Sequence, residues 1–261
     1  MSQSFTTQSL TTLFSFPFKD PRWKEKFLIG IALTFIGFLT LGITSVFVAG
    51  YAYQIARRII LENGEPYLPE WEDWGKLFTD GLRLAGAILV LSIPLIFFFF
   101  IAFLLDAIPP LILALGSSPQ SSTVPSLMFP MWMLFSFIPL GLGLVSSLAM
   151  GIVSPVVIGH VVATHSWAAV FQVKEWWKVF RANLGGFLIS FLVVFGVSFV
   201  AIMASEFLYF TLILCCLVPI ILSCVTFYIS LISYSLYGKA YRAGIQNLSV
   251  ETPGWSDTTH P

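Results

Sequence analysis

Long apolar runs dominate the chain, at 27–56, 84–105, 127–163, 184–204 and 207–238. About 20 consecutive apolar residues suffice to carry a helix across a bilayer core of about 30 Å. Each run reaches that length. The last two are separated by only Ser205 and Glu206, and joined they are too long for one spanning helix. Residues 116–126 (GSSPQSSTVPS) read as a Ser/Pro loop. Residues 243–261 are polar, contain Pro253 and Gly254, and read as a disordered tail.

A short motif stands at the head of three segments. Trp74-Gly75-Lys76-Leu77-Phe78 aligns with Trp176-Trp177-Lys178-Val179-Phe180, and more loosely with Trp23-Lys24-Glu25-Lys26-Phe27. Gly30 and Gly81 follow Trp23 and Trp74 at the same interval. This repetition predicts three units, roughly 12–58, 66–165 and 166–242. Each is an interfacial helix followed by two membrane helices, arranged as parallel repeats. The predicted fold is all-α: a polytopic membrane bundle of about six membrane helices in one domain, 1–242, with 243–261 as the tail.

The motif segments are amphipathic. Across 70–83, Trp71, Trp74, Phe78 and Leu82 recur at helical spacing, and Pro69 suits a first turn. In the second copy, Val173, Trp176, Phe180 and Leu184 form the apolar face, while Lys174, Lys178 and Arg181 form a basic stripe. Asp20-Pro21 offers an N-cap and first-turn proline to the third. Such helices lie at the headgroup level with tryptophan at the acyl boundary. The basic stripe is the candidate contact for anionic lipid headgroups, at about 1 kcal/mol per basic residue. Its alternative role is a plain anchor that sets depth.

Composition agrees with burial in lipid. Charged residues make up 10% of the chain, hydrophobic residues 57%, and mean hydropathy is +0.89; about a quarter of ordinary soluble usage is charged. The formal net charge is zero, and no basic soluble surface invites nucleic acid. Ser2 to Gln8 are polar without a basic n-region, so the first apolar run is expected to act as an uncleaved anchor.

Basic clusters favour the cytoplasmic side. Loops 57–83, 164–183 and 239–261 are therefore expected inside the cell membrane, and 106–126 and 205–206 outside. The run 27–56 raises a parity problem, because Lys19 to Lys26 precede it and Arg57-Arg58 follow it. A hairpin turning near 37–44 keeps both ends inside, with arms of about 20 Å. Its tip is expected to rest against other helices, since non-helical backbone in hydrocarbon needs partners. One long tilted helix is the alternative.

Two stretches carry a resemblance: Phe16-Pro17-Phe18-Lys19-Asp20-Pro21-Arg22-Trp23, and Leu68-Pro69-Glu70-Trp71-Glu72-Asp73-Trp74-Gly75-Lys76-Leu77-Phe78-Thr79-Asp80-Gly81, with Gly50-Tyr51 and Arg57-Arg58 between. They resemble an uncharacterised prokaryotic family of multi-pass membrane proteins, a domain of unknown function of the DUF4013 type. The resemblance implies a multi-pass membrane protein and transfers no catalytic residue.

Chemistry within the apolar runs is sparse. No run midpoint carries Asp, Glu, Lys or Arg, which disfavours a buried carboxylate relay. Asp106 and Glu206 read as boundary residues, and Glu70, Glu72 and Asp73 as solvated charges. His160 and His165 are spaced to point apart. Cys215, Cys216 and Cys224 read as inert thiols. P-loop, HExxH and GxSxG motifs are absent, and no catalytic residue, metal or cofactor is expected. Two stripes could pack helices or line a pathway: Gly143, Ser147, Gly151, Pro155 and Gly159; and Ser223, Thr226, Ser230, Ser233 and Tyr237. The expected function is a non-enzymatic binding, scaffold or assembly protein, with membrane lipid and a membrane protein as partners. The alternative is a passive transporter or channel for a small solute or lipid. Oligomeric state is open.

Overall fold

The computed structural model describes residues 7–116, 123–209 and 217–251, and the fold is all-helical. The helices are α1 (Thr7–Ser15), α2 (Trp23–Leu39), α3 (Ser45–Glu62), α4 (Trp74–Gly116), α5 (Thr123–Thr164), α6 (Val173–Ala182), α7 (Leu184–Tyr209) and α8 (Val218–Glu251). Short 3-10 turns lie at Phe16–Lys19 and Trp167–Phe171. Four stretches are long and apolar enough to cross a membrane: Trp74–Ile108, Leu134–Thr164, Leu184–Phe207 and Val218–Val250. They expose many large apolar side chains, which suits lipid as the surrounding solvent.

The chain forms two compact units. One comprises Met1–Ile88 and Ile152–Pro261, the other Leu89–Gly151. In the smaller unit, Gly143 is buried and faces the side chains of Phe98 and Phe99.

The larger unit is organised around α8, which packs on α2, α3, α6 and α7. Small residues make this possible. The Phe227 ring fills the space a side chain on Gly30 would need, and Tyr241 does the same at Gly159. Gly244 lies against Val179, and Gly238 against Ala56 and Ile59. Arg242 of α8 donates to the carbonyls of Ile59 (2.9 Å) and Ile60 (3.3 Å). These carbonyls belong to the last turn of α3, where no intrahelical donor remains. Asn63 ends that helix with a left-handed φ of 53°. Asn183 and Asn247 tie α6 to α8 through the carbonyls of Ala240 and Ala182.

α3 and α4 cross at close range. A Cβ on Gly50 would overlap the Leu77 carbonyl, and one on Gly81 would overlap the Val46 carbonyl. Both glycines are required by backbone proximity.

Several boundaries differ from the sequence reading. The run 27–56 is broken into α2 and α3 at 40–44, so a single tilted helix does not form. The expected contact of its tip with other helices is overturned: Leu41 is 98% exposed and Ile43 67%. The turn closes its own backbone instead, with Thr40 N–H donating to Ile36, Gly42 to Gly37, Ile43 to Thr40 and Ser45 to Gly42. Residues 70–73 are not helical. Asp73 starts α4 by accepting from the Lys76 N–H at 3.0 Å, so Trp71 lies outside the helix and is buried, whereas Trp74, Phe78 and Leu82 are exposed. The motif segments at Trp23 and Trp74 run straight into α2 and α4; only α6 is a separate short helix.

Ser205 and Glu206 do not form a loop, because α7 continues to Tyr209. The final helix starts at Val218, with Pro219 in its first turn, where a missing N–H costs nothing. It runs on to Glu251, so 243–251 are helical rather than tail; 252–261, like Cys215 and Cys216, lie outside the described residues.

Candidate functional site

Polar side chains gather first at the base of the α2–α3 hairpin. Lys26 is 4% exposed. Its Nζ donates to Asp20 Oδ2 at 2.7 Å and to the Leu68 carbonyl at 2.8 Å, and pairs with Glu70 Oε1 at 2.8 Å. Arg22 reaches the same Glu70 oxygen at 2.6 Å. Asp20 also accepts from the Arg22 N–H at 2.8 Å, a local turn that fixes its carboxylate. Burial works against charge on Lys26, but its hydrogen bonds to Asp20 and Glu70 outweigh it and hold its pKa above the usual lysine value. Burial likewise opposes charge on Asp20, and Lys26 and the Arg22 N–H overcome it, holding the carboxyl below its usual range.

Aromatic groups seal this lock. Trp71 stacks on Tyr51 with ring centres 4.1 Å apart, its Nε1–H donates to the Lys26 carbonyl at 3.1 Å, and Tyr51 Oη donates to Pro69 at 2.8 Å. The two stretches singled out by resemblance thus meet through Asp20, Arg22 and Lys26 on one side and Leu68 to Trp71 on the other. Glu70, expected to be a solvated charge, is an ion-pair partner; Asp73, expected likewise, caps a helix. These contacts join the segment before α2 to the segment before α4.

The basic stripe lies on α6. Trp176, Val179 and Phe180 are buried, and Trp176 Nε1–H donates to the Val170 carbonyl at 3.0 Å. Lys174, Lys178 and Arg181 are all exposed, and Lys178 pairs with Glu175 at 3.3 Å. Val173 and Leu184, expected on the same apolar face, are left 52% and 45% exposed by the protein.

The hydroxyl stripe is divided. Ser223 is fully buried and bonds the Pro219 carbonyl. Thr226, Ser230, Ser233 and Tyr237 line a cavity of about 400 Å³ between α7 and α8, with Ser198 and Tyr234 beside them and Ile158 of α5 at its wall. Ser230 and Ser233 donate to the carbonyls of Phe227 and Ile229, so their protons are spent on their own helix. No charged residue lines the cavity.

Both histidines acquire partners that spacing could not show. His160 is buried between Tyr241 Oη and Gln172 Oε1, each 2.8 Å from a ring nitrogen. His165, at φ 57°, lies 2.8 Å from Tyr53 Oη. Burial first, then the positive fields of Arg57, Arg83 and Lys76, push the His165 pKa down. Asp80, 1% exposed, binds Arg83 at 2.6 Å through one oxygen. The available sequence signal was a polar residue inside an apolar face, Tyr53 or Tyr241, but its partner came from a distant helix. Among the described residues, no three His, Cys, Asp or Glu side chains cluster as metal ligands.

Comparison with known proteins gives one match, to a family model described as a protein of unknown function (DUF4013), over residues 33–210. The match includes the 68–81 stretch and stops short of Phe16 to Trp23. No curated protein and no solved structure matches the chain. With more than half of the chain covered, the chain belongs to the DUF4013 family, and its four long apolar helices give it membrane character.

Proposed function

We propose that this is a non-enzymatic integral membrane protein that binds and positions partners at the membrane surface. The observation that carries the reading is the division of its polar groups. Buried Lys26 and His160 are consumed in locks between elements and buried Asp80 pairs with Arg83 on its own helix, while Lys174, Lys178 and Arg181 face outward on a helix tied to α8. A rigid helix with an exposed basic edge suits anionic lipid headgroups. Under this reading α6 lies on the cytoplasmic side of the cell membrane, together with the other basic segments. The helix pairs beginning at Trp23, Trp74 and Trp176 then share one orientation.

The test is lipid retention. The triple variant Lys174→Gln/Lys178→Gln/Arg181→Gln is reconstituted in vesicles containing phosphatidylglycerol, and retained lipid is measured after detergent extraction. With Lys178 already paired to Glu175, about two net contacts are lost, and retention falls at least about tenfold at low salt. Equal retention by variant and parent overturns the lipid-binding role.

A second reading, a passive carrier for an uncharged solute or lipid, is favoured by the cavity between α7 and α8. Its hydroxyls and apolar walls suit a neutral amphipathic molecule and offer no counter-charge to an ion. Ala201→Phe would fill it from the α7 side. Flux or flip-flop of a neutral fluorescent lipid in proteoliposomes, abolished by that variant, would favour this reading; rates equal to protein-free vesicles would dismiss it.

A further inference from the structure

We propose that the α2–α3 hairpin is a partial-depth membrane insert, with its tip in hydrocarbon beyond the bilayer midplane and both ends on one side. The inference rests on reading α4, α5, α7 and α8 as membrane-spanning.

The tip is apolar and unsheltered by protein. Phe38 is 55% exposed, Leu39 71%, Leu41 98% and Ile43 67%. Leaving four large apolar side chains in water would cost about 1.5–3 kcal/mol each. Leu41 also sits at φ 52°, a conformation that glycine or asparagine adopts more cheaply. An apolar side chain is therefore held at the apex despite its backbone cost.

Six backbone N–H groups around the turn are already partnered, which suits lipid. A turn in hydrocarbon is excluded when its N–H and C=O groups lack partners. Here the N–H groups of Thr40, Gly42, Ile43, Ser45, Val46 and Phe47 all donate within the hairpin. The hydroxyls do the same: Thr40 donates to Ile36 at 2.9 Å and Thr44 to Leu33 at 2.7 Å. Lys26 through Arg57 encloses no other charged residue.

Depth follows from geometry. Lys26, held in the ion-pair lock, and Arg57 stand at nearly equal distances from the tip. About fifteen residues from Lys26 to Leu41 span about 22 Å at 1.5 Å per residue. If these charges mark the interface, the tip passes the middle of a core of about 30 Å and stops short of the far side. The occupant of the exposed surface is acyl chain, and α2 and α3 return to the side they left.

Leu41→Cys, in the full chain with its three native cysteines replaced, is labelled with an environment-sensitive fluorophore in phosphatidylcholine/phosphatidylglycerol vesicles. Val200→Cys on the exposed face of α7 serves as the reference for a spanning helix. At Leu41, a nitroxide deep in the acyl chain is expected to quench about threefold more strongly than one at the headgroup, as at Val200. An impermeant maleimide should reach Leu41→Cys from neither side. Labelling of Leu41→Cys from the side opposite Lys24→Cys would overturn the insert in favour of complete crossing. Labelling from the same side would place the tip in water and overturn it too. If Val200→Cys is itself quenched mainly from the headgroup, the membrane-spanning reading fails, a result distinct from failure at Leu41 alone.

Discussion

Replacing Lys26 with methionine isolates what the hairpin lock contributes. Methionine keeps most of the buried stem and removes the ammonium. The loss leaves Asp20 Oδ2 and the Leu68 carbonyl without their donor, and leaves Glu70 with Arg22 alone. Breaking a buried pair by deleting one partner costs about 3–5 kcal/mol. Asp20 and Glu70 are 19% and 40% exposed at the side chain and can recover water, so the expected loss falls below that range, at about 2–3 kcal/mol. Adding Asp20→Asn should restore part of it, because the uncompensated carboxylate disappears. The assay is denaturant unfolding in mixed micelles, followed by the emission of Trp71 and its neighbours. pH supplies a second signature. The Lys26 pKa is raised, so its stabilisation is complete below the ordinary value near 10.5 and is lost as pH climbs through the folded value. The Asp20 pKa is depressed, so its contribution is present above the ordinary 3.8 and is lost as pH falls through the folded value. Lys26→Met should abolish the alkaline edge. A loss below about 0.5 kcal/mol, with that edge intact, would refute the argument.

Other expectations follow from single contacts. Gly81→Ala should destabilise the fold by about 1–3 kcal/mol or more through overlap with α3, while Gly141→Ala, which meets open space, should be close to neutral; thermal unfolding of both in one detergent compares them. Tyr241→Phe strips His160 of one partner and should cost about 1–3 kcal/mol in the same measurement, with an unchanged melting point counting against the buried network. The depressed His165 pKa means that its neutral form is favoured in the fold, so its stabilisation is full above about pH 6.5 and lost as pH falls through the folded value. His165→Gln should flatten that acid slope, measured by melting between neutral and mildly acidic buffer.

Much of the class was legible along the chain. Apolar length fixes which segments suit a bilayer, and charge at both ends of 27–56 favoured a hairpin over one long tilted helix; the structure has α2, a turn and α3. Boundaries were less legible where two signals compete. Trp71 has the spacing of a helical face, yet Asp73 caps the helix after it, so the residue turns inward onto Tyr51. The tip was expected to seek protein because sequence does not reveal that a turn will close its own hydrogen bonds.

For the candidate sites, hydropathy found the stripes but not their use. Thr226, Ser230, Ser233 and Tyr237 face a cavity while Ser223, one turn away, is buried against its own helix, a difference made by where α7 lies. Residue types alone determined that this chain must live largely in lipid and carry its charge near the helix ends, since the cost of burying charge is local. Which charges became locks was decided only in three dimensions. Lys26 meets Leu68 and Glu70, His160 meets Tyr241, and Gly50 meets Leu77 across separate elements, because burial leaves each polar or close-packed group no water to fall back on.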